Sequence, residues 1–175
     1  MRNVMFLVAV LVTAGIGGVA LAAQDRSTLK VPDGLSFSEF KGYESWETVT
    51  PSQNEQRIKV IAANPVMMRA FKNGLPAKGQ SFPDGSRVVK LEWSRTVDSG
   101  SPAGPITRPG ALTAVEFIVK DTKRFPNTKG WAYAIFVNDP ATQTLRPLGS
   151  GTICGFACHS KVADQDYIFN HFAPR

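Results

Sequence analysis

The run Leu112-Thr113-Ala114-Val115-Glu116-Phe117-Ile118-Val119 decides the architecture of this chain. It is rich in β-branched and aromatic residues. Its period of two sets Val115, Phe117 and Val119 on one face and Ala114, Glu116 and Ile118 on the other. A strand over 112–119 follows, and Trp131-Ala132-Tyr133-Ala134-Ile135-Phe136-Val137 repeats the pattern before Asp139-Pro140 turns the chain. Upstream, 88–93 and 57–62 read as two further strands.

Two short helices accompany them. Ser36 and Glu39 form a Ser-x-x-Glu capping box, and Phe37, Phe40, Tyr43 and Trp46 recur near helical spacing, so a helix is expected over 37–48 with Gly42 as its weak point. Asn64 as N-cap and Pro65 at the first helical position start a second helix over 66–72, closed by Asn73-Gly74. Residues 50–54 read as a loop. So do 99–110, which hold three prolines and three glycines. The class is α+β, predominantly an antiparallel sheet with short helices.

The chain has 175 residues, which fits one domain. Residues 1–23 are expected to be a secretory signal peptide: a short basic start, an apolar run over 4–21, and Ala20-Leu21-Ala22 as a small-residue cleavage site. An uncleaved membrane anchor is the alternative, because the run approaches spanning length. Residues 24–36 read as a flexible N-terminal arm, and 37–175 as the folded domain. No later stretch is long and apolar enough to span a bilayer, so no membrane contact is expected after cleavage, and the protein is expected to be periplasmic.

The formal net charge is +6, but the basic residues are scattered singly and form no cluster interleaved with aromatics. That excludes nucleic acid as a natural partner. A mild basic balance suits docking of an acidic redox partner, or is simply solvated surface charge.

Chemistry concentrates in Cys154-Gly155-Phe156-Ala157-Cys158-His159, which holds both cysteines of the chain and one of its two histidines. Two thiols followed at once by an imidazole is how a polypeptide carries a c-type haem, the thiols adding to the porphyrin vinyls and the histidine binding the iron. The usual spacer has two residues; this one has three, and Gly155 is suited to a bulge that would bring both sulfurs to the vinyls. A Cys154–Cys158 disulfide is the competing reading, though short loops strain a bridge. Zinc fits poorly, since Cys, Cys and His supply three ligands without a fourth at conventional spacing.

His159 is then the axial ligand. His171 lies near the chain end, and Met67 and Met68 sit at positions that fill core gaps, so the expected iron is five-coordinate with an open face. Lys90 and Glu116 lie in strands among apolar neighbours. An ionisable group there either pairs or works: the two could face solvent, pair across strands, or serve the site.

The order of motifs is distinctive. Arg57-Ile58 leads to Ala63-Asn64-Pro65, and Phe82-Pro83-Asp84-Gly85-Ser86 to Val88-Val89-Lys90. Val119-Lys120-Asp121, Arg124-Phe125-Pro126 and Gly130-Trp131-Ala132-Tyr133 follow, and the Cys-His element and Asp166-Tyr167-Ile168-Phe169 close the set. Over 37–172 this resembles the cytochrome P-460 family, periplasmic c-type haem proteins that include the cytochromes c′-beta. The resemblance implies a mostly β homodimer with one covalently attached, five-coordinate haem on Cys154, Cys158 and His159. In one branch, hydroxylamine and nitric oxide are oxidised towards nitrous oxide or nitrite, and a lysine is cross-linked to the porphyrin. Lys90 matches that lysine, with Lys78 as second choice; Glu116 matches the distal proton-handling carboxylate and Arg57 the positioning arginine. In the other branch, phenylalanines cap the iron and nitric oxide or carbon monoxide is bound without turnover, which would assign Phe82, Phe117 or another aromatic to the distal face. A haem-free exported binding domain stapled by the disulfide is the reading from another class.

Overall fold

The computed structural model describes residues 24–32, 34–149 and 151–174; the expected signal peptide lies outside them. Six strands form one sheet in the order of the chain: β1 (Glu47–Gln53), β2 (Arg57–Ala63), β3 (Arg87–Asp98), β4 (Ile106–Lys120), β5 (Trp131–Asp139) and β6 (Thr144–Pro147). Every neighbouring pair is antiparallel. Two helices complete it, α1 (Pro65–Lys72) between β2 and β3 and α2 (Gly151–His159) after β6. The α+β expectation holds. Among the described residues no helix is long and apolar enough to cross a membrane.

Alternation along β4 divides the interior in two. Val115, Phe117 and Val119 point to one face, where they join Val89, Ala132, Ala134, Phe136, Val31 and Leu35. Phe40 stacks on Phe117 at 4.1 Å between centroids, while Phe37 and Tyr43 meet the same ring edge-on at 5.1 and 5.3 Å. Each such pair adds about 0.5–1.5 kcal/mol beyond the area it buries. The other face carries Ile61, Ala63, Val88, Trp131 and Tyr133, covered at one end by α1 through Met67, Met68 and Phe71. Asn64 caps α1 by accepting from Met67 N–H at 3.1 Å. Both methionines are fully buried core fillers.

Several expectations are corrected. Residues 37–48 form two 3₁₀ turns, Phe37–Phe40 and Tyr43–Ser45, and not one α-helix. Aromatics at 37, 40, 43 and 46 recur every three residues, the period of the 3₁₀ helix, and Gly42 breaks the run in the left-handed region at φ 85°. The capping-box carboxylate of Glu39 still accepts from Ser36 N–H at 2.9 Å. The loop expected over 50–54 is largely strand β1, an edge strand that tolerates Pro51 because its outer N–H side needs no partner. Strand β4 begins at Ile106, inside the expected 99–110 loop. The segment expected as a flexible arm is docked: the Gln24 amide brackets the Leu145 backbone, donating to its carbonyl at 2.6 Å and accepting from its N–H at 2.8 Å, and Val31 and Leu35 are buried.

Candidate functional site

The site lies on the second face of the sheet, between β2–β5 and α2. Register sets its wall. Lys90 on β3 is the direct partner of Glu116 on β4 and of Ile61 on β2, and Glu92 is the partner of Lys59. These four charged side chains share a face with Ile118, Tyr133 and Ile135 and alternate in sign across three strands. The Lys90 ammonium is 2.8 Å from Glu116 and 3.3 Å from Glu92, and Lys59 is 3.4 Å from Glu92. The cross-strand pair anticipated for Lys90 and Glu116 is therefore formed.

The row titrates unequally. For Lys90, burial works against the charge, but two carboxylates outweigh it and hold the pKa above the ordinary lysine value. For Glu116, burial dominates and pushes the carboxyl up despite Lys90, with Glu92 adding repulsion. Lys59 also serves Glu92, so the row is balanced in charge, and burial, not a shortage of cations, sets the direction for Glu116.

Facing this wall is α2. Gly151 and Gly155 let it approach β5: a Cβ on Gly155 would overlap the Tyr133 ring, and one on Gly151 would lie 2.8 Å from the Tyr133 carbonyl oxygen. Gly155 is regular helix, so it serves close approach and not the bulge expected of it. The three-residue spacer thus becomes one turn of α-helix. Cys154 and Cys158 stand at i and i+4 on one face, both exposed at the surface. That spacing separates the Cβ atoms by about 5–6 Å, wider than the roughly 4 Å of a disulfide, which argues against the stapled reading.

His159 closes the helix. Its Nδ1 is 2.6 Å from the Tyr167 carbonyl oxygen. A carbonyl only accepts, so Nδ1 carries the proton and Nε2 keeps a lone pair for a metal. The ring packs between Tyr133 and Phe169 at centroid distances of 4.7 and 4.9 Å, and burial holds its pKa below the ordinary value. A cavity of about 380 Å³ joins the two sides, lined by Lys59, Lys90 and Glu116 on the sheet and by Cys154, Cys158 and His159 on the helix.

Residues 40–170 match the family model described as Cytochrome P460. The chain belongs to the cytochrome P460 family. A search of curated proteins finds no match. Membership in the cytochrome P460 family implies a c-type haem and haem-dependent redox activity. The residues around the cavity fit that group. His159 has one nitrogen engaged and one available, two thiols stand on the same helix face, and the Tyr133 hydroxyl is buried without a hydrogen-bond partner. Among the described residues no cluster of three or more His, Cys, Asp and Glu could hold a bare metal ion.

Some expected residues stand elsewhere. Arg57 shares the face of Lys59 and Ile61 but lies at the far end of β2, outside the cavity wall, and its guanidinium donates to the Gln56 carbonyl at 3.4 Å. Lys78 is exposed in the loop before β3. Phe82 is buried against Phe71 and Trp131, and the Phe117 ring belongs to the opposite core. His171 is exposed near the chain end. Lys59 and Tyr133 were not anticipated. Pairing the 57–62 and 88–93 strands would have put Lys59 beside Glu92, and alternation over 131–137 would have put Tyr133 on the site face.

Proposed function

We propose that this member of the cytochrome P460 family is an exported mono-haem cytochrome that oxidises hydroxylamine, nitric oxide or both, towards nitrous oxide or nitrite. The observation that carries this reading is the Lys90–Glu116 pair, 2.8 Å apart, in the wall of the cavity that also holds His159 and both cysteines. Cys154 and Cys158 would attach the haem and His159 would bind its iron through Nε2. When bound, the haem supplies an iron that takes electrons from the substrate nitrogen.

The remaining chemistry falls to the chain. Glu116, its pKa raised by burial, is suited to accept a substrate proton near neutral pH. Lys90 favours the ionised carboxylate that takes the proton, and, because it lines the cavity and Lys78 does not, it is our choice for the porphyrin cross-link that the resemblance implies. Lys59 supplies the cation at the cavity wall that Arg57 was expected to provide. A gas-binding role without turnover is less favoured, because the Phe82 ring packs on Phe71 and Trp131, the Phe117 ring packs into the opposite core, and Phe169, which does line the cavity, packs on the His159 ring, while the sheet wall carries charges that suit a substrate with N–H and O–H protons.

A homodimer, a periplasmic location and an acidic redox partner belong to the same proposal. The test is the absorption spectrum of the ferrous protein, produced in a periplasm competent for haem attachment, with a denatured pyridine spectrum alongside. A red-shifted main band with an abnormal pyridine spectrum supports a lysine-modified haem and the oxidase. A normal c-type spectrum moves the protein to the gas-binding role, and absence of a haem band overturns both.

A further inference from the structure

Asp166 is nearly inaccessible, at 6% exposure, and its carboxylate is fully engaged. It accepts from the Lys120 ammonium at 2.8 and 2.9 Å, from Phe82 N–H at 2.8 Å and from the Trp131 indole N–H at 3.3 Å. Lys120 is equally buried, with its ammonium 4.7 Å from the centre of the Trp131 ring. Three separate pieces of the fold, β4, β5 and the loop before β3, thus converge on one side chain that lies just beyond α2.

The backbone at that point is unusual. Asp166 and Tyr167 are consecutive non-glycine residues in the left-handed region, at φ 48° and 64°. Such residues cost on the order of 1–3 kcal/mol each and persist only where surrounding contacts over-determine them. Asp166 supplies those contacts. The turn it pins directs the Tyr167 carbonyl to Nδ1 of His159 at 2.6 Å. Tyr167 is further held by its N–H to the Val162 carbonyl at 3.0 Å and by stacking on Phe156 at 5.1 Å.

We propose that Asp166, clamped by Lys120, is a positioning residue that sets the donor strength of His159 towards the iron. The inference rests on the reading of His159 as the axial ligand. A partner on the second ring nitrogen fixes the tautomer and orientation of a ligating histidine and raises its basicity. Here that partner is a backbone carbonyl, which no side-chain substitution can remove, so control passes to the residue that aims it. Asp166 touches neither substrate nor iron.

The test uses the haem-loaded full-length protein, comparing wild type with Asp166→Asn and with the double variant Lys120→Met/Asp166→Asn. The double variant removes both buried charges together, so no unpaired ion is left to unfold the chain. The readouts are the reduction potential and the iron–histidine stretching frequency of the ferrous form. Both variants are expected to show a raised potential and a lowered stretching frequency, because a loosened carbonyl makes His159 a weaker donor. A haem-loaded double variant with both readouts at their wild-type values would overturn the proposal while leaving the axial role of His159 intact. A wild-type protein with no iron–histidine band would overturn both.

Discussion

The Lys90 ammonium and the Glu116 carboxylate meet at 2.8 Å because the two residues are direct register partners on the central strands β3 and β4. Backbone pairing therefore puts a proton acceptor and a cation side by side, before any ligand enters. The same ammonium also serves Glu92 at 3.3 Å, which Lys59 approaches at 3.4 Å from the other side.

Replacing Lys90 with Met should destabilise the fold by roughly 1–2 kcal/mol near neutral pH, since a partly buried carboxylate loses its counter-charge. The sign with pH is determined. A carboxyl whose folded pKa lies above its unfolded value stabilises the fold at low pH, and that contribution is lost as pH rises through the folded pKa. The penalty of Lys90→Met should therefore shrink on acidification, which urea denaturation across the mildly acidic range would measure. In the wild type, the raised pKa of Lys90 gives a contribution that is fully present below the ordinary lysine value and is lost as pH rises through the folded value above it.

Oxidation of hydroxylamine should rise with pH through the titration of Glu116, with the acid limb of the rate profile above the ordinary carboxylate range. Glu116→Gln should lower kcat by about 10²–10⁴-fold and abolish that limb. A limb that survives in the Gln variant would assign it to another group.

Gly155→Ala should lift α2 from β5, because the added methyl overlaps the Tyr133 ring. Overpacking of this kind costs about 1–3 kcal/mol. A lowered melting temperature and a reduced haem yield are the expected result, read by thermal unfolding and by haem absorbance per chain.

Each cysteine can be tested alone. Cys154→Ala and Cys158→Ala should both keep a covalently held haem, with a pyridine spectrum shifted to the red by the one unreacted vinyl group. The double variant should release its haem to acidified organic solvent. A single variant with the wild-type pyridine spectrum would show that its thiol forms no thioether.

The strands that carry the site were legible because their other face is apolar. Alternation over 112–119 assigned Glu116 to one side and Phe117 to the other, as in the structure. Edge strands β1 and β6 were missed for the opposite reason: beside Pro51 and Pro147 and polar neighbours each buries a single apolar side chain, Val49 and Leu145, too few to set up an alternation. The 3₁₀ turns were misread because a single i, i+3 step occurs in both kinds of helix; only over the whole span 37–46, where the two periods drift apart by about half a turn, does the spacing tell them apart. Arg57 was assigned by order along the chain, which does not say how far along β2 the cavity extends. The Lys120–Asp166 clamp joins positions 46 apart in sequence, and no local pattern announces such a pair.

The two faces of β3 and β4 are unlike each other in every respect that matters to a side chain. A one-residue insertion or deletion within 88–91 or 114–119 would drive Lys90 or Glu116 into the aromatic core and turn the Val89 or Phe117 side chain towards the cavity. The site can diverge only by exchanging residues in place. Changes in length are confined to the hairpin turns, above all to the exposed ribbon beyond Glu92, where β3 and β4 run on past the cavity.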